Sequence, residues 1–368
     1  KNIYILYRLL FMKLFDSFDL GGLELSSRVV MAPLTRRRAT NDNVPVNIMA
    51  EYYGQRAGAG LIIAEGTSPS PNGVGYCNMP ALYNKEQMNA WRPTTKTVHD
   101  NGGKIFLQVM HAGRVGHVSN LPAGAKLFGP SAIAQVGEVA TYHYGKQKYS
   151  VPVPMSLSDI DNAVSEFANC SLLAVEAGFD GVEIHGAHGY LPNQFINQSS
   201  NFRTDEYGGS LNNRLRFLNR IIDSTIAEIG SNKVSLRISP FSYADVNEDP
   251  INLRKLYLEL VSNLNTKKLA YLHLSHMGEA VSEKFELWKE IRSLYAGFLM
   301  LCGDYTKEKA EQAIQNGDAD LISFGRDFIA NPDLVDRFKN NWKLMERDKK
   351  FWYTNSSRGY TDYDKCQQ

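Results

Sequence analysis

The sequence predicts a single closed (β/α)8 barrel, an α/β fold of the TIM type, and three observations predict it. About eight short β-branched apolar runs alternate with longer amphipathic stretches, the rhythm of βα units around a parallel sheet. Two of the helical stretches stop at a glycine, Gly178 and Gly317, where the chain can turn left-handed. No GxGxxG follows the first run, which argues against an open doubly wound sheet with a dinucleotide fingerprint. At 368 residues the chain is long for one domain, but barrels with insertions reach that size.

The runs, in chain order, are Arg28–Ala32, Leu61–Glu65, Lys104–Val109, Gly181–His185, Val234–Ser239, Tyr271–Ser275, Phe298–Gly303 and Asp320–Gly325. Helical periodicity covers Leu157–Ala177, with Ser158-Asp159 read as its cap, then Asn212–Ile229 and Thr306–Asn316. Ahead of the first run, Phe15–Asp19, Gly21-Gly22 and Leu23–Leu25 read as a hairpin that could plug the barrel floor. Residues 111–155 break the rhythm with Gly, Pro and Tyr in short β-like pieces such as Tyr142-His143-Tyr144, and read as a capping excursion over the barrel top. The barrel unit is therefore 13–368. Residues 1–12 read as a disordered or extra leader: Lys1–Phe11 is apolar, lacks a small-residue cleavage site and is too short to span a bilayer.

Composition narrows the function. Hydrophobic residues make up 43%, enough for a large core, and a formal net charge of +1 points to neither nucleic acid nor membrane. The four cysteines, Cys77, Cys170, Cys302 and Cys366, form no CxxC pair, which argues against zinc or an iron–sulfur cluster and suits a reducing, cytoplasmic setting.

In a barrel the chemistry sits at the C-terminal ends of the strands, so the strand list becomes a site list. Strand one exits through Pro33, Leu34 and Thr35, and Thr35 brings a hydroxyl to the mouth. Strand three holds Gln108, whose amide needs partners for both donor and acceptor, as a heterocycle edge supplies. Strand five holds Arg237, a cation that requires an anion, with a pair to Glu65 or Glu183 as the structural alternative. Strand four ends in His185, His188 and Tyr190: imidazole N–H groups can polarise a carbonyl or nitro oxygen, and a phenol can deliver a proton. A metal site on the two histidines is the competing reading. Gly303 and Gly325, with Arg326, stand at the exits of the last two strands, the usual phosphate site of this fold. Arg36-Arg37-Arg38 reads as a solvated basic loop, with 2′-phosphate recognition as its alternative.

These residues, together with Gly60–Gly66, His111-Ala112-Gly113-Arg114, Asn201–Ser210, Ala319–Arg326 and Gly359–Tyr363, resemble the Old Yellow Enzyme family of FMN-dependent NAD(P)H oxidoreductases, or ene reductases. The resemblance runs from about Lys13 to Tyr363. It implies FMN held by Pro33, Leu34 and Thr35, by the Gly66 backbone and Gln108 at the pyrimidine edge, by Arg237 at N1 and O2, and by Gly303, Gly325 and Arg326 at the phosphate. His185 and His188 would hold the acceptor's oxygen, Tyr190 would protonate the α-carbon as flavin N5 delivers hydride to the β-carbon, and Tyr353 would overhang the substrate pocket. NADPH or NADH would be the reductant in a ping-pong cycle. Where the family often has tryptophan this chain has Met110, and Thr354–Arg358 replaces an often glycine-rich segment. The expectation is a cytoplasmic monomer or homodimer acting on a small enone, quinone or nitro compound. A flavin reductase acting mainly on quinones, nitro compounds or oxygen, a metal-dependent hydrolase or lyase, and a non-catalytic flavin-binding relative are the alternatives.

Overall fold

In the computed structural model of the chain, the described residues are 12–242, 249–275 and 282–366. Of the leader 1–12, residues 1–11 lie outside them. Eight parallel strands close into one barrel in sequence order: β1 (Val29–Met31), β2 (Leu61–Thr67), β3 (Ile105–Val109), β4 (Gly181–His185), β5 (Val234–Ile238), β6 (Leu272–Ser275), β7 (Leu299–Cys302) and β8 (Leu321–Phe324). Every expected run is a strand. The last pairs with the first through Ile322↔Val29 and Phe324↔Met31. Seven strands are buried along their whole length and β7 is buried up to its last residue, as a parallel sheet covered on both faces must be.

Ten α-helices complete the described residues: α1 (Asn47–Gln55), α2 (Lys85–Asp100), α3 (Leu157–Glu176), α4 (Leu191–Ile196), α5 (Leu211–Ile229), α6 (Pro250–Leu264), α7 (Ser282–Leu294), α8 (Lys307–Asn316), α9 (Arg326–Ala330) and α10 (Leu334–Asn340). The cap of α3 differs from the expected Ser158-Asp159. Ser156 is the N-cap and Asp159 sits at the third helical position, each side chain bonding the other's backbone N–H. Such a reciprocal box satisfies two otherwise unpaired N–H groups, which a cap at Ser158 would leave bare. Beyond α3, Gly178 has φ +97°, and α8 ends at Gly317 with φ +76°, as the glycine positions require.

The hairpin Phe18–Asp19/Glu24–Leu25 is present, and its Leu20 and Leu25 pack with Ile63, Phe106, Tyr271 and Met300 inside the lower barrel. The floor is thus closed by apolar side chains. The stretch 111–155 forms a second small layer. Glu138–Thr141 pairs with Gly145–Lys148, so Tyr142-His143-Tyr144 is the hairpin's turn and not a strand. This layer is docked on segments that leave strand tops. The Tyr142 hydroxyl accepts the Asn78 N–H at 2.6 Å, and Arg203 donates to the carbonyls of Pro130 and Met155.

The arginine run after β1 is a correction to the expected solvated loop: Arg36 is 1% and Arg38 3% exposed. Arg36 donates to the Trp352 and Gly359 carbonyls and the Tyr52 hydroxyl, and Arg38 to the Phe351, Trp352 and Ser356 carbonyls. The two guanidiniums clamp the C-terminal segment onto the barrel mouth. With their donors spent on the protein, they are not a 2′-phosphate grip.

Candidate active site

Strand four turns sharply after His185. His188 adopts φ +56°, a left-handed conformation that costs a non-glycine residue, and Gly189 follows at φ +79°. The turn is held because the His188 N–H donates to Ser239 Oγ at 2.8 Å and the Gly189 N–H to Asn193 Oδ1 at 2.8 Å. Its effect is to gather three candidate side chains. The rings of His185 and His188 lie 5.4 Å apart, nearly perpendicular, and those of His185 and Tyr190 4.7 Å apart.

Both imidazoles are neutral at pH 7. Burial drives the pKa of each well below its ordinary value; His188, Arg237 and His273 add repulsion at His185, and Arg237 and His273 do so at His188. His188 Nε2 lies 3.0 Å from Ser275 Oγ, the same oxygen that accepts from Arg237 Nη2 at 3.0 Å. Arg237 also directs Nη2 to Cys302 Sγ at 3.5 Å. No carboxylate pairs with it among the described residues, so neither Glu65 nor Glu183 is its ion-pair partner. Glu65 instead accepts the backbone N–H groups of Arg36 and Arg37, and Glu183 faces His273.

The Cys302 thiol is pushed up by burial, but His273, Arg237 and Ser323 outweigh this and bring it down to about 6. The Tyr190 hydroxyl is 2.9 Å from that of Tyr76, and both tyrosines pack on Val74, Met79 and Met110. Met110 fills the space beside Gly66, where a Cβ would come within 2.6 Å of its sulfur.

The remaining candidates divide. Leu34 and Gly325 meet, since a Cβ on Gly325 would lie 3.3 Å from Leu34 Cδ2, and Pro33 is buried beside them in the β1 exit. Thr35 follows, half-buried. Gln108 donates Nε2–H to Glu183 at 2.8 Å, so part of its amide serves the protein. Gly303 and Gly325 are half-buried at neighbouring strand exits, and Arg326 is exposed at the start of α9. Tyr353 is 56% exposed on the clamped C-terminal segment, and among the described contacts none joins it to the histidines. Ser239, Ser275, Tyr76 and His273, which no sequence motif marks, also touch these side chains or their supports. The two serines stand at the ends of β5 and β6, so strand-end position is the one sequence signal that points to them.

Two polar atoms test whether a flavin fits. His185 Nδ1 and Arg237 Nε are buried, and neither has a hydrogen-bond partner among the described residues. Orphaned polar atoms of this kind are expensive unless a ligand meets them. A cation and neutral imidazole donors at the mouth of a barrel suit an anionic, oxygen-bearing heterocycle, and the donor set fits FMN.

Fold and site together define a barrel oxidoreductase of the flavin class. The chain belongs to the NADH:flavin oxidoreductase / NADH oxidase family, whose model matches residues 13–344, and within it to the Old Yellow Enzyme family; its cofactor is FMN with a nicotinamide as reductant. It is 40% identical over 370 residues to 12-oxophytodienoate reductase 7 of Oryza sativa subsp. japonica, covering 95% of this chain and 94% of that protein. A probable flavin mononucleotide-dependent alkene reductase of Leishmania infantum is also 40% identical, over 93% of this chain and 94% of its own length. Among solved structures, the Old Yellow Enzyme homologue from Zymomonas mobilis superposes with a TM-score of 0.90 at 40% identity, covering 96% of this chain and 99% of that one. Morphinone reductase in complex with tetrahydroNAD gives 0.89 at 37%, covering 96% and 98%. Membership as an oxidoreductase sets aside the metal-dependent hydrolase reading of His185 and His188.

Proposed function

We propose that the protein is an ene reductase that uses NADPH or NADH to reduce activated carbon–carbon double bonds of α,β-unsaturated carbonyl or nitro compounds in two alternating half-reactions. FMN, when bound, supplies the hydride that adds to the β-carbon. Everything else falls to side chains of this chain. His185 and His188, kept neutral, present N–H groups to the acceptor's oxygen and draw electron density toward it. Tyr190 delivers the proton to the α-carbon, and its hydroxyl partner on Tyr76 keeps the phenol aimed. Arg237 and Gln108 hold the pyrimidine edge of the cofactor, with the Gly66 backbone and Thr35 beside them, and Gly303, Gly325 and Arg326 take the phosphate. Tyr353 borders the acceptor on the clamped segment. The excursion 111–155 caps the mouth.

The observation that carries this reading is the meeting of two neutral imidazoles and a phenol beside a buried guanidinium whose Nε has no partner among the described residues. The names of the relatives, a 12-oxophytodienoate reductase and an alkene reductase, point to the same bond type.

The purified protein should be yellow, bleach anaerobically with a nicotinamide and reoxidise with 2-cyclohexenone. Tyr190→Phe should slow the enone half-reaction by about 10²–10⁴-fold, the usual worth of a general acid, and leave flavin reduction within a few-fold. Stopped-flow traces of each half-reaction decide it, and equal losses in both would remove Tyr190 from the proton step. The family description includes NADH oxidase, which favours oxygen as a second acceptor. Reoxidation rates with enone, quinone, nitro ester and oxygen rank the acceptors directly.

A further inference from the structure

A polar layer crosses the barrel just below this site. Glu183 of β4 has no exposed surface, and side chains from β3 next to it and from the β6 segment across the barrel converge on its carboxylate. Gln108 donates Nε2–H to Oε1 at 2.8 Å, and Tyr271 donates its hydroxyl to Oε2 at 3.2 Å. His273 of β6 sets Nδ1 2.7 Å from the same Oε2, and its Nε2 lies 2.8 Å from Ser323 Oγ of β8. Burial alone would raise the Glu183 carboxyl, but His273, then Arg237 and Gln108, hold it below its ordinary value.

Arg237 is the register neighbour of His273 across β5 and β6, and its charge is felt by Glu183. Yet the guanidinium turns away, to Ser275 and Cys302. A buried cation ordinarily takes the carboxylate within reach, since attraction in a low-dielectric interior is strong. Here that carboxylate is already occupied.

Resting on the FMN reading above, we propose that Glu183 and His273 are positioning residues of opposite sign: His273 claims the Glu183 carboxylate and so keeps the Arg237 charge available to the N1 and O2 edge of FMN. Replacing Glu183 by Gln deletes a negative charge near Arg237 and keeps an acceptor for Gln108. Replacing His273 by Leu strands the carboxylate, and Arg237 becomes its nearest cation. Replacing His273 by Asn restores a donor close to the lost Nδ1.

The test compares wild type, Glu183→Gln, His273→Leu and His273→Asn, each loaded with FMN. The midpoint potential of the bound FMN is read by anaerobic dye equilibration, and oxidised FMN affinity by fluorescence titration. Negative charge gathers at N1 and O2 on reduction, so the ratio of reduced to oxidised FMN affinity reports Arg237. That ratio should fall about tenfold in His273→Leu, rise in Glu183→Gln, and return to within about threefold of wild type in His273→Asn. A merely structural layer would shift Glu183→Gln and His273→Leu the same way, and that result overturns the proposal, as does a ratio unchanged in both. If circular dichroism shows that Glu183→Gln or His273→Leu fails to fold, Ser323→Ala decides, because it removes only the hydroxyl beside His273 Nε2. A fall in the ratio then supports the proposal, and no change overturns it. A folded wild type that takes up no FMN would overturn the cofactor reading and this inference with it; wild-type uptake with same-sign shifts overturns this inference alone.

Discussion

Arg36 and Arg237 are both buried guanidiniums near the barrel mouth, and they are satisfied in opposite ways. Arg36 spends its three nitrogens on Trp352, Tyr52 and Gly359 and lies over the rings of Tyr52 and Tyr360. Arg237 has Ser275 and Cys302 on Nη2, while its Nε has no partner among the described residues. The same contrast separates Glu183, which meets Gln108, Tyr271 and His273, from His185 directly above it in β4, whose Nδ1 is left over. A buried group with all its partners is a stabilising device. A buried group short of one marks where a ligand completes the structure, and the protein holds it at a cost in stability.

Two substitutions test that contrast. Arg36→Ala should cost about 3–5 kcal/mol, because it removes several charge-assisted hydrogen bonds at a fully buried position and leaves the Tyr52 hydroxyl and the Gly359 carbonyl without their donor. Urea unfolding of the apoprotein measures it, and limited proteolysis should open the chain within 351–363. Arg237→Met should do the reverse. The apoprotein should be as stable as wild type or more so, since a buried charge without a carboxylate is removed. FMN affinity should fall about 100-fold with the loss of a charge-assisted contact. If Arg237→Met destabilises the apoprotein as much as Arg36→Ala does, the distinction between the two arginines fails.

How far the sequence foretold this division depends on the distance between partners. Each barrel strand was legible because the signal is local: a short apolar run between amphipathic stretches. His185, His188, Tyr190 and Arg237 stand out as candidates because strand ends of a barrel are where chemistry collects, and the structure brings them together. Partners distant in the chain were not legible. Arg36 looks like part of a solvated basic run until Trp352 and Gly359, contributed by the far end of the chain, fold over it. On sequence alone Glu183 suits Arg237 as a partner, and only the closed barrel shows His273 reaching it first. The turn at Tyr142–Tyr144 reads as β-like in the sequence for a related reason, since aromatic residues favour strands and only the pairing register reveals which positions turn.

The smallest effect concerns pH and separates the site from its surroundings once more. His111, His185 and His188 are all held neutral by burial, His111 down at about 3. In the unfolded chain each would titrate near the ordinary histidine value. The folded-state pKa values are depressed, so as pH falls below that value the unfolded state binds protons that the folded state does not. Stability is therefore full near pH 7 and is lost on acidification, by about 2 kcal/mol at pH 5 for His111. Urea midpoints of the apoprotein between pH 7 and 5 measure the sum, and a flat profile would mean that the imidazoles titrate in the folded state. His111 lines a separate cleft of about 460 Å³ beside α3, its Nδ1 accepting from the Gly113 N–H and its Nε2 without a partner among the described residues. His111→Gln should thus remove one share of the pH dependence and leave phenol binding at the flavin site unchanged. His188→Ala should remove a similar share and weaken phenol binding as well. Loss of phenol binding in His111→Gln would show that the cleft and the site are one unit.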